Sequence, residues 1–383
     1  MKISKSHLLT LLVAVLVLPT CVASGQAGDA IATRMHKFAG TKQFSGSVTL
    51  VAHRGTVVHL EAVELADYFT GQPMTKDSMF AIASMTKPIT ATAVMILQDE
   101  GKLSVEDPVA KYIPQFKDVA LADGPAKTEM TIRHLMTHTS GLTGDQRCVG
   151  SLKETTEELA TRKLKFEPGT KWQYSPGMNV CGRIIEVVSG QAYEDFLDER
   201  IFEPLKMVDT TFTPNKSQRQ RIAKLYQPSE EKPLLAPASH WITDLSGDVV
   251  PTPSGGLFST ASDLATFYQT ILNGGEHDGK RIISRDAVKQ MTEPQTGDLV
   301  TGFTPGSCWG LGWCIVREPQ GVTQHVSAGT FGHGGAFGTQ GWVDPKTQTI
   351  YVLMIQRTKF GNSDGSDIRG EFHRLAKLMT KSE

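Results

Sequence analysis

Strand-forming segments lie near both ends of this chain, and a long helical region separates them. The runs at residues 47–51 and 56–60 are rich in β-branched residues, and the four residues between them are typical of a hairpin turn. Helices and loops are predicted from about residue 105 to residue 268. Because strands, helices and strands follow in that order, we predict an α+β fold, an α/β sandwich. One antiparallel sheet formed by the N- and C-terminal parts is flanked by helices and carries a mostly helical insertion.

Periodicity and turn residues predict the remaining elements individually. Apolar residues at helical spacing favour helices, and short β-rich runs between turn residues favour strands. The predicted helices are 131–137, 180–188, 193–200 and 370–379, and the predicted strands are 309–316, 341–343 and 349–355.

A serine and a lysine three residues apart, Ser84 and Lys87, precede a strongly apolar helical segment. On a helix this spacing stacks the two side chains on one face. A lysine kept neutral by burial could then take the proton of the serine, which is the chemistry of the S-x-x-K pattern. Pro88 is tolerated only in a first turn, so the helix must begin close to Ser84, although proline disfavours helical backbone at Lys87.

The N-terminus has the pattern of an export signal. Lys2 and Lys5 precede an apolar run at residues 8–18, and small residues follow at Ala23 and Ala27. We therefore predict a signal peptide over about residues 1–27, a single domain over residues 28–383, and a periplasmic or secreted product. The apolar run is short for a membrane span, although an anchor is an alternative. The segment before Cys21 also resembles a lipobox, so lipidation of Cys21 and membrane association are a second alternative.

Composition and cysteine content narrow the function classes. The 39 basic and 40 acidic residues leave a net charge of −1, which gives no indication of a nucleic-acid partner. Four cysteines follow the export signal, and an oxidising compartment would allow up to two disulfides among them. Their pairing is left open by the sequence: Cys148, Cys181, Cys308 and Cys314.

Further short motifs accompany Ser84 and Lys87 along the chain. They lie at residues 107–109, 131–142, 174–176, 253–257, 310–313 and 332–335. With these motifs in this order, the sequence resembles the serine β-lactamase and penicillin-binding protein superfamily, in its class C and family VIII carboxylesterase branch. The resemblance covers nearly the whole chain after the export signal. It implies a β-lactamase/transpeptidase-like fold and a serine nucleophile, Ser84, with no metal and no organic cofactor.

The second element of the resemblance is Tyr174-Ser175-Pro176, which corresponds to the family's Tyr-x-Asn. It implies that Tyr174 relays a proton between nucleophile and leaving group, and we expect the lysine cation to lower the pKa of this phenol. Proline has no amide to orient a substrate carbonyl, so Asn179 is the candidate replacement. Without the resemblance, Tyr174 would be interpreted as a packed aromatic residue.

The third element, His333-Gly334-Gly335, stands where the family has Lys-Thr-Gly. Paired glycines let a substrate lie close to strand backbone, so these residues are predicted to bind substrate. By resemblance, the backbone N–H groups of Ala336 and Ser84 form the oxyanion hole. A histidine with its ordinary pKa of about 6.5 is mostly neutral at pH 7, so a permanent anchor for a substrate carboxylate is missing.

Two other motifs are interpreted as structural. Residues 361–365 match G-x-S-x-G, but an α/β-hydrolase needs an acid and a histidine downstream with strands between them, and only His373 follows. We predict a turn there. His134 and His138 have a metal-binding spacing, but the glutamate of H-E-x-x-H and a third ligand are missing.

The sequence therefore predicts a serine acyl hydrolase that works through an acyl-enzyme. Ser84 attacks a carbonyl, Lys87 and Tyr174 move protons, and water releases the acyl group. An esterase on small esters or amides is favoured. The alternatives are a class C-like β-lactamase, a D-amino-acid-specific peptidase with a peptidoglycan-like substrate, and a non-catalytic penicillin-binding sensor.

Overall fold

The computed structural model describes residues 20–231 and 235–380. Lys2, Lys5 and the apolar run of the predicted export signal lie outside the described residues. The first helix begins at Thr20 and continues to Gly40. The predicted cleavage positions at Ala23 and Ala27 therefore lie within one continuous helix. Among the described residues, no helix combines the length and the hydrophobicity that crossing a bilayer requires.

Helices and strands follow one another in the predicted order along the chain. The helices are α1 (Thr20–Gly40), α2 (Thr86–Asp99), α3 (Ile132–Met136), α4 (Leu152–Thr161), α5 (Gly177–Ser189), α6 (Tyr193–Leu197), α7 (Glu203–Leu205), α8 (Lys216–Arg219), α9 (Ala261–Leu272), α10 (Arg285–Thr292) and α11 (Asp367–Thr380). The strands are β1 (Gly46–His53), β2 (Thr56–Asp67), β3 (Gln72–Pro73), β4 (Phe80–Ala81), β5 (Ala120–Leu121), β6 (Gly124–Pro125), β7 (Tyr226–Pro228), β8 (Leu235–Pro237), β9 (Phe258–Ser259), β10 (Glu276–His277), β11 (Lys280–Arg281), β12 (Ser307–Trp309), β13 (Cys314–Val316), β14 (Phe331–Gly334), β15 (Gln340–Asp344) and β16 (Thr349–Met354).

One eight-stranded sheet joins the two ends of the chain. Its strand order is β12-β13-β14-β15-β16-β1-β2-β3, and every neighbouring pair is antiparallel. The N-terminal hairpin enters the sheet through β1, which pairs with β16 and places Val48 opposite Met354. The prediction of a sheet shared by both ends is confirmed.

Helices cover both faces of this sheet. Every residue of β1 is buried, because successive strand side chains point to opposite faces and both faces are covered. Val51 packs in a cluster with Ile31 of α1 and Phe372 of α11, whereas Leu50 packs in a second cluster with Phe267 of α9. Burying a large apolar side chain contributes about 1.5–3 kcal/mol, so the two clusters stabilise a three-layer sandwich.

The helical middle of the chain is closed by a short strand pair beside the candidate nucleophile. Helices α3 to α8 all lie between β4 and β9. In that pair, Phe80 lies opposite Ser259 and Ala81 lies opposite Phe258. The pairing therefore brings the segment just before Ser84 against the segment that follows residues 253–257.

One expectation from the sequence is wrong. The predicted strand at 309–316 is two strands, β12 and β13, joined by a tight turn. Gly312 adopts a left-handed φ of 79°, and a side chain at Gly310 would collide with the Met291 carbonyl, so the two glycines permit the turn. The sequence left disulfide pairing open, and among the described residues all four cysteines are buried free thiols: Cys148, Cys181, Cys308 and Cys314.

Candidate active site

Ser84 lies in a tight helical turn, Ala83–Met85, that leads directly into α2. It is the one partly exposed residue between 78 and 97, where every neighbour is buried. Ala83 has a φ of 46°, a left-handed conformation that costs a non-glycine residue about 1–3 kcal/mol. Thr86 holds the turn: its hydroxyl donates to the Ala83 carbonyl (2.8 Å) and accepts from the Leu257 N–H (3.2 Å). The turn therefore leaves Ser84 partly exposed among buried neighbours.

Lys87 is completely buried beneath that hydroxyl. Its Nζ lies 3.3 Å from Ser84 Oγ and donates to the Ser254 carbonyl at 2.6 Å. Burial lowers the pKa of the amine well below its ordinary value. The predicted stacking is present, and α2 includes Lys87 despite Pro88. A neutral amine at hydrogen-bond distance from a serine hydroxyl can serve as its base.

Asn179 has a different role from the predicted substrate contact. Its side chain is fully buried, and its Nδ2 donates to the Gln146 carbonyl at 2.8 Å. Its Oδ1 accepts from the Ser254 N–H (3.0 Å) and lies 2.6 Å from the Ser254 hydroxyl. The Asn179 amide is thus fully hydrogen-bonded to Gln146 and to Ser254, whose carbonyl accepts from Lys87. Because the side chain is fully buried, it is not available to contact a substrate.

Tyr174 faces both Ser84 and His333. Its ring centroid lies 4.5 Å from Lys87 Nζ, and its Oη lies 3.5 Å from His333 Nε2. Burial raises the pKa of the phenol, and a hydrogen bond with Ser84 only partly opposes this rise. The expected lowering of this pKa by a lysine cation is wrong, because burial keeps the phenol protonated and favours neutral Lys87. A phenol that stays protonated at this position can donate a proton.

His333, on β14, is buried and uncharged. Its Nδ1 lies 2.6 Å from the Gly334 carbonyl, to which it donates, so Nε2 is left to accept from Tyr174. Burial, followed by the nearby Lys87, lowers the pKa of this imidazole to about 3. The neutral state expected at pH 7 therefore extends over the whole physiological range.

The two glycines after His333 bring β14 against the nucleophile turn. A Cβ on Gly335 would lie 2.5 Å from the Ile82 carbonyl, and one on Gly334 would collide with the Asp364 carboxyl. Only glycine fits this approach. Ala336 follows at the tip of the loop and is exposed, and among the described residues its N–H has no backbone acceptor. Its role in an oxyanion hole stays a prediction.

Six aromatic rings form a continuous wall on the tyrosine side of Ser84. Phe303 contacts the Tyr174 ring edge to face, with centroids 4.8 Å apart. Its side chain is 38% exposed, and its backbone has a left-handed φ of 78°. Of these residues, the sequence motifs indicated Tyr174, His333 and, in a structural role, His138, but no motif indicated Phe303. The wall consists of His138, Trp172, Tyr174, Phe303, Trp309 and His333.

A second apolar group lies on the other side of the nucleophile turn. Ala83 packs there in one cluster with Ile242 and Phe337, and Trp241 packs against it. Phe337 follows Ala336 directly in sequence. Apolar side chains therefore pack against the nucleophile turn in addition to the aromatic wall, which suits an uncharged substrate.

The two motifs interpreted as structural have structural contacts. His134 caps α3, where its Nδ1 accepts from the Thr131 N–H at 3.2 Å. The part of the chain that the structure describes contains no cluster of side chains able to hold a metal ion. In the 361–365 segment, Ser363 donates to the Gly335 carbonyl at 3.2 Å. This turn therefore contacts the segment that follows β14. Its sequence pattern did not indicate that contact.

Comparisons with known proteins cover almost the entire described chain. A family model described as Beta-lactamase matches residues 29–375, a range that includes every candidate site residue. Protein Rv1367c of Mycobacterium tuberculosis is 31% identical over 374 residues, which cover 88% of this chain and 92% of the relative. Esterase EstB of Burkholderia gladioli is 29% identical over 360 residues, covering 85% and 88%. The solved structure of EstCE1, a hydrolase with promiscuous acyltransferase activity, superposes with a TM-score of 0.78 at 21% identity, covering 93% and 98%.

Proposed function

Because this chain belongs to the beta-lactamase family and is a serine hydrolase, we propose that it is an esterase that cleaves small uncharged esters through an acyl-enzyme. The observation that carries the proposal is the neutral His333 in the place of the family's lysine. A charged hydrogen bond to a substrate carboxylate is worth about 1.5–3 kcal/mol, or about tenfold to a hundredfold in affinity. A site without that bond favours neutral substrates over β-lactams and carboxylate-ended peptides.

Arg317 does not replace the missing charge. It is exposed, and its guanidinium donates to the Gly297 carbonyl. The aromatic wall and the apolar group around Ile242 and Phe337 also favour an uncharged acyl or alkyl group. The relatives include a protein named as an esterase, EstB, which agrees with this preference.

Opposite pKa shifts around Ser84 support a division of labour in acylation. Neutral Lys87 takes the proton of the Ser84 hydroxyl as Oγ forms a bond to the ester carbonyl carbon. The tetrahedral intermediate then collapses, and the departing alkoxide takes the proton of the Tyr174 hydroxyl. The proton held by Lys87 returns to Tyr174, which leaves the acyl-enzyme, a free alcohol and a neutral amine. Two titratable groups with pKa values pushed apart in this way indicate a base and an acid.

Deacylation uses the same groups in reverse. Tyr174 passes its hydroxyl proton to neutral Lys87 and takes a proton from water as the water oxygen attacks the acyl carbon. Protonated Lys87 then gives its proton to Ser84 Oγ as the tetrahedral intermediate collapses, which leaves the free acid and restores all three side chains. In both halves the carbonyl oxygen carries the developing negative charge. We assign its stabilisation to the N–H groups of Ser84 and Ala336, and removal of one such donor typically costs about 10²–10³ in rate.

Side-by-side kinetics test the proposed function. The values of kcat/KM are measured on p-nitrophenyl butyrate and on a chromogenic cephalosporin, for the wild type, His333→Ala and His333→Lys. We expect the wild type to prefer the ester, and His333→Ala to keep that preference. We expect His333→Lys to narrow the preference by about tenfold, because it restores a cationic donor.

Two results would overturn the proposed function. One is a wild-type cephalosporin value above the ester value that persists in His333→Ala. The other is a stoichiometric burst of p-nitrophenol without turnover, which would identify a sensor that acylates and does not deacylate.

A further inference from the structure

His138 holds the chain on both sides of Tyr174. Its backbone carbonyl accepts from the Gln173 N–H at 2.9 Å, and its Nδ1 accepts from the Ser175 N–H at 3.2 Å. Residue 173 and residue 175 are thus bonded to the same histidine, one through its main chain and one through its ring. The backbone of Tyr174 is fixed between these two bonds.

The imidazole also packs directly on the tyrosine ring. The His138 and Tyr174 centroids are 4.4 Å apart with an interplanar angle of 36°, and Trp309 closes the other side in an edge contact at 4.8 Å. His138 is fully buried and adopts a φ of 60°. A non-glycine residue keeps such a conformation only where its surroundings demand it, and such residues concentrate at functional sites.

The hydrogen bonds define the protonation state of the ring. Because Nδ1 accepts from a backbone N–H, the proton of the neutral imidazole is on Nε2. Among the described residues Nε2 has no hydrogen-bond partner, and it is enclosed with the ring. His138 is therefore closed off from substrate and acts on the reaction through Tyr174.

We propose that His138 is a positioning residue that holds the Tyr174 hydroxyl where it can protonate the leaving group. The inference rests on the proposed function, in which Tyr174 is the acid. Displacing a reacting group by about 1 Å can lower the rate by about 10²-fold. Losing the ring of His138 removes the bond to Ser175 and one face of the packing around the phenol.

The dependence of rate on the leaving group separates this role from a general structural one. A p-nitrophenolate leaves without a proton, whereas an alkoxide requires one. In His138→Ala we expect kcat/KM on ethyl butyrate to fall about 100-fold, and kcat/KM on p-nitrophenyl butyrate to fall less than about tenfold. The two esters share one acyl group, so deacylation is the same for both.

Two further variants control the measurement. His134→Ala removes a partly buried, hydrogen-bonded imidazole one turn earlier without touching Tyr174, so it should leave the ratio of the two esters unchanged. His138→Asn keeps a side-chain acceptor and tolerates the left-handed backbone, so it should recover most of the ratio. If His138→Ala fails to fold, His138→Asn and His138→Gly carry the test, because glycine accepts the same backbone without the ring.

Coupling to the acid completes the test. In a Tyr174→Phe background the alkyl-to-aryl ratio should already be low, and adding His138→Ala should change it by less than about twofold. An unchanged ratio in folded His138→Ala, or a full additional loss in the double variant, would overturn the inference while leaving the esterase intact. A wild type that hydrolyses neither ester would instead overturn the proposed function itself.

Discussion

The lysine side and the tyrosine side of Ser84 are both shielded from water, fully at Lys87 and partly at Tyr174, but they are built differently. Lys87 is held by polar groups, since Nζ bonds the Ser254 carbonyl and Asn179 bonds Ser254 in turn. Tyr174 is held by rings, with His138 on one face and the edge of Phe303 beside it. The same loss of water lowers the pKa of the amine and raises that of the phenol.

This contrast explains how two neighbouring groups take opposite parts in proton transfer. Desolvation always disfavours the charged form, so a buried amine becomes a better base and a buried phenol remains an acid. No cation needs to act on Tyr174, and no anion needs to act on Lys87. Perturbing each side separately should therefore produce different signatures.

The largest effect is expected at Ser84, where the two sides meet. Ser84→Ala should lower turnover at least about 10⁴-fold and leave the fold intact, because the nucleophile is lost and neither side can replace it. Intact-mass analysis with a phosphonate probe should give one adduct that maps to Ser84. Ser363→Ala is the matched control and should label normally. An adduct on Ser363 would contradict the assignment of both sides.

The lysine side should show a trade of activity against stability. Lys87→Met should lower kcat/KM about 10³-fold by removing the base, and its loss should be similar for alkyl and aryl esters. The same change should raise the free energy of unfolding at pH 7 by about 1–3 kcal/mol, since a buried amine with a depressed pKa is replaced by an apolar chain.

The pH dependence of the free energy of unfolding tests whether burial of Lys87 destabilises the folded protein. Between the depressed pKa of folded Lys87 and the unfolded pKa of about 10.4, the unfolded chain binds a proton at Lys87 that the folded chain does not. The wild type should therefore gain stability as pH rises from 7 towards 10, and Lys87→Met should lack this gain. Thermal unfolding of both proteins across this range measures it, and a lower melting temperature for Lys87→Met at pH 7 would refute it.

A smaller effect on activity is expected at Asn179, which fixes the Ser254 residue that holds Lys87. Asn179→Ala removes the acceptor for the Ser254 N–H and hydroxyl and so loosens the residue whose carbonyl holds Lys87. The value of kcat/KM should therefore fall about tenfold to a hundredfold, by the same factor on ethyl and p-nitrophenyl butyrate. Ser254→Ala keeps the carbonyl and the N–H bond to Asn179, so it should lose less. If Asn179→Ala acts mainly on KM, the amide contacts substrate after all and the buried position is misleading.

The smallest effect is expected on the aromatic side at Phe303. Phe303→Ala removes the partly exposed ring of the aromatic wall, and a ring contact with substrate is worth about 0.5–1.5 kcal/mol, so KM for p-nitrophenyl butyrate should rise about twofold to tenfold with kcat nearly unchanged. Phe69→Ala removes another exposed phenylalanine, distant in sequence and outside the aromatic wall, and should change neither constant. Equal effects of the two variants would show that Phe303 does not border the substrate.

Much of the fold followed from local patterns in the sequence. The β-branched runs near both ends identified the shared sheet, and Ser84 and Lys87 lie three residues apart, within one helical turn. Local patterns failed where a contact decided the outcome. The strand predicted at 309–316 is interrupted by a turn, at which the backbone of Gly310 lies close to the Met291 carbonyl. The hydropathy of the segment does not indicate this close contact.

Local sequence patterns predicted only part of the candidate site. Tyr174 and His333 could be placed by motif order, but the direction of the tyrosine pKa shift was predicted wrongly. Asn179 was predicted to contact substrate because Pro176 has no amide. The sequence does not show that the Asn179 amide already has hydrogen-bond partners within the protein. Its partners, Gln146 and Ser254, are 33 and 75 residues away along the chain.

The sequence by itself determined which side chains this protein can use and, through helical spacing, that Ser84 and Lys87 share one face. Only the tertiary structure decided their protonation states. Lys87 meets Ser254 across 167 residues, and Tyr174 meets His333 across 159. Burial is the sum of such distant contacts, and the cost of desolvating a charge depends on that sum rather than on neighbours along the chain.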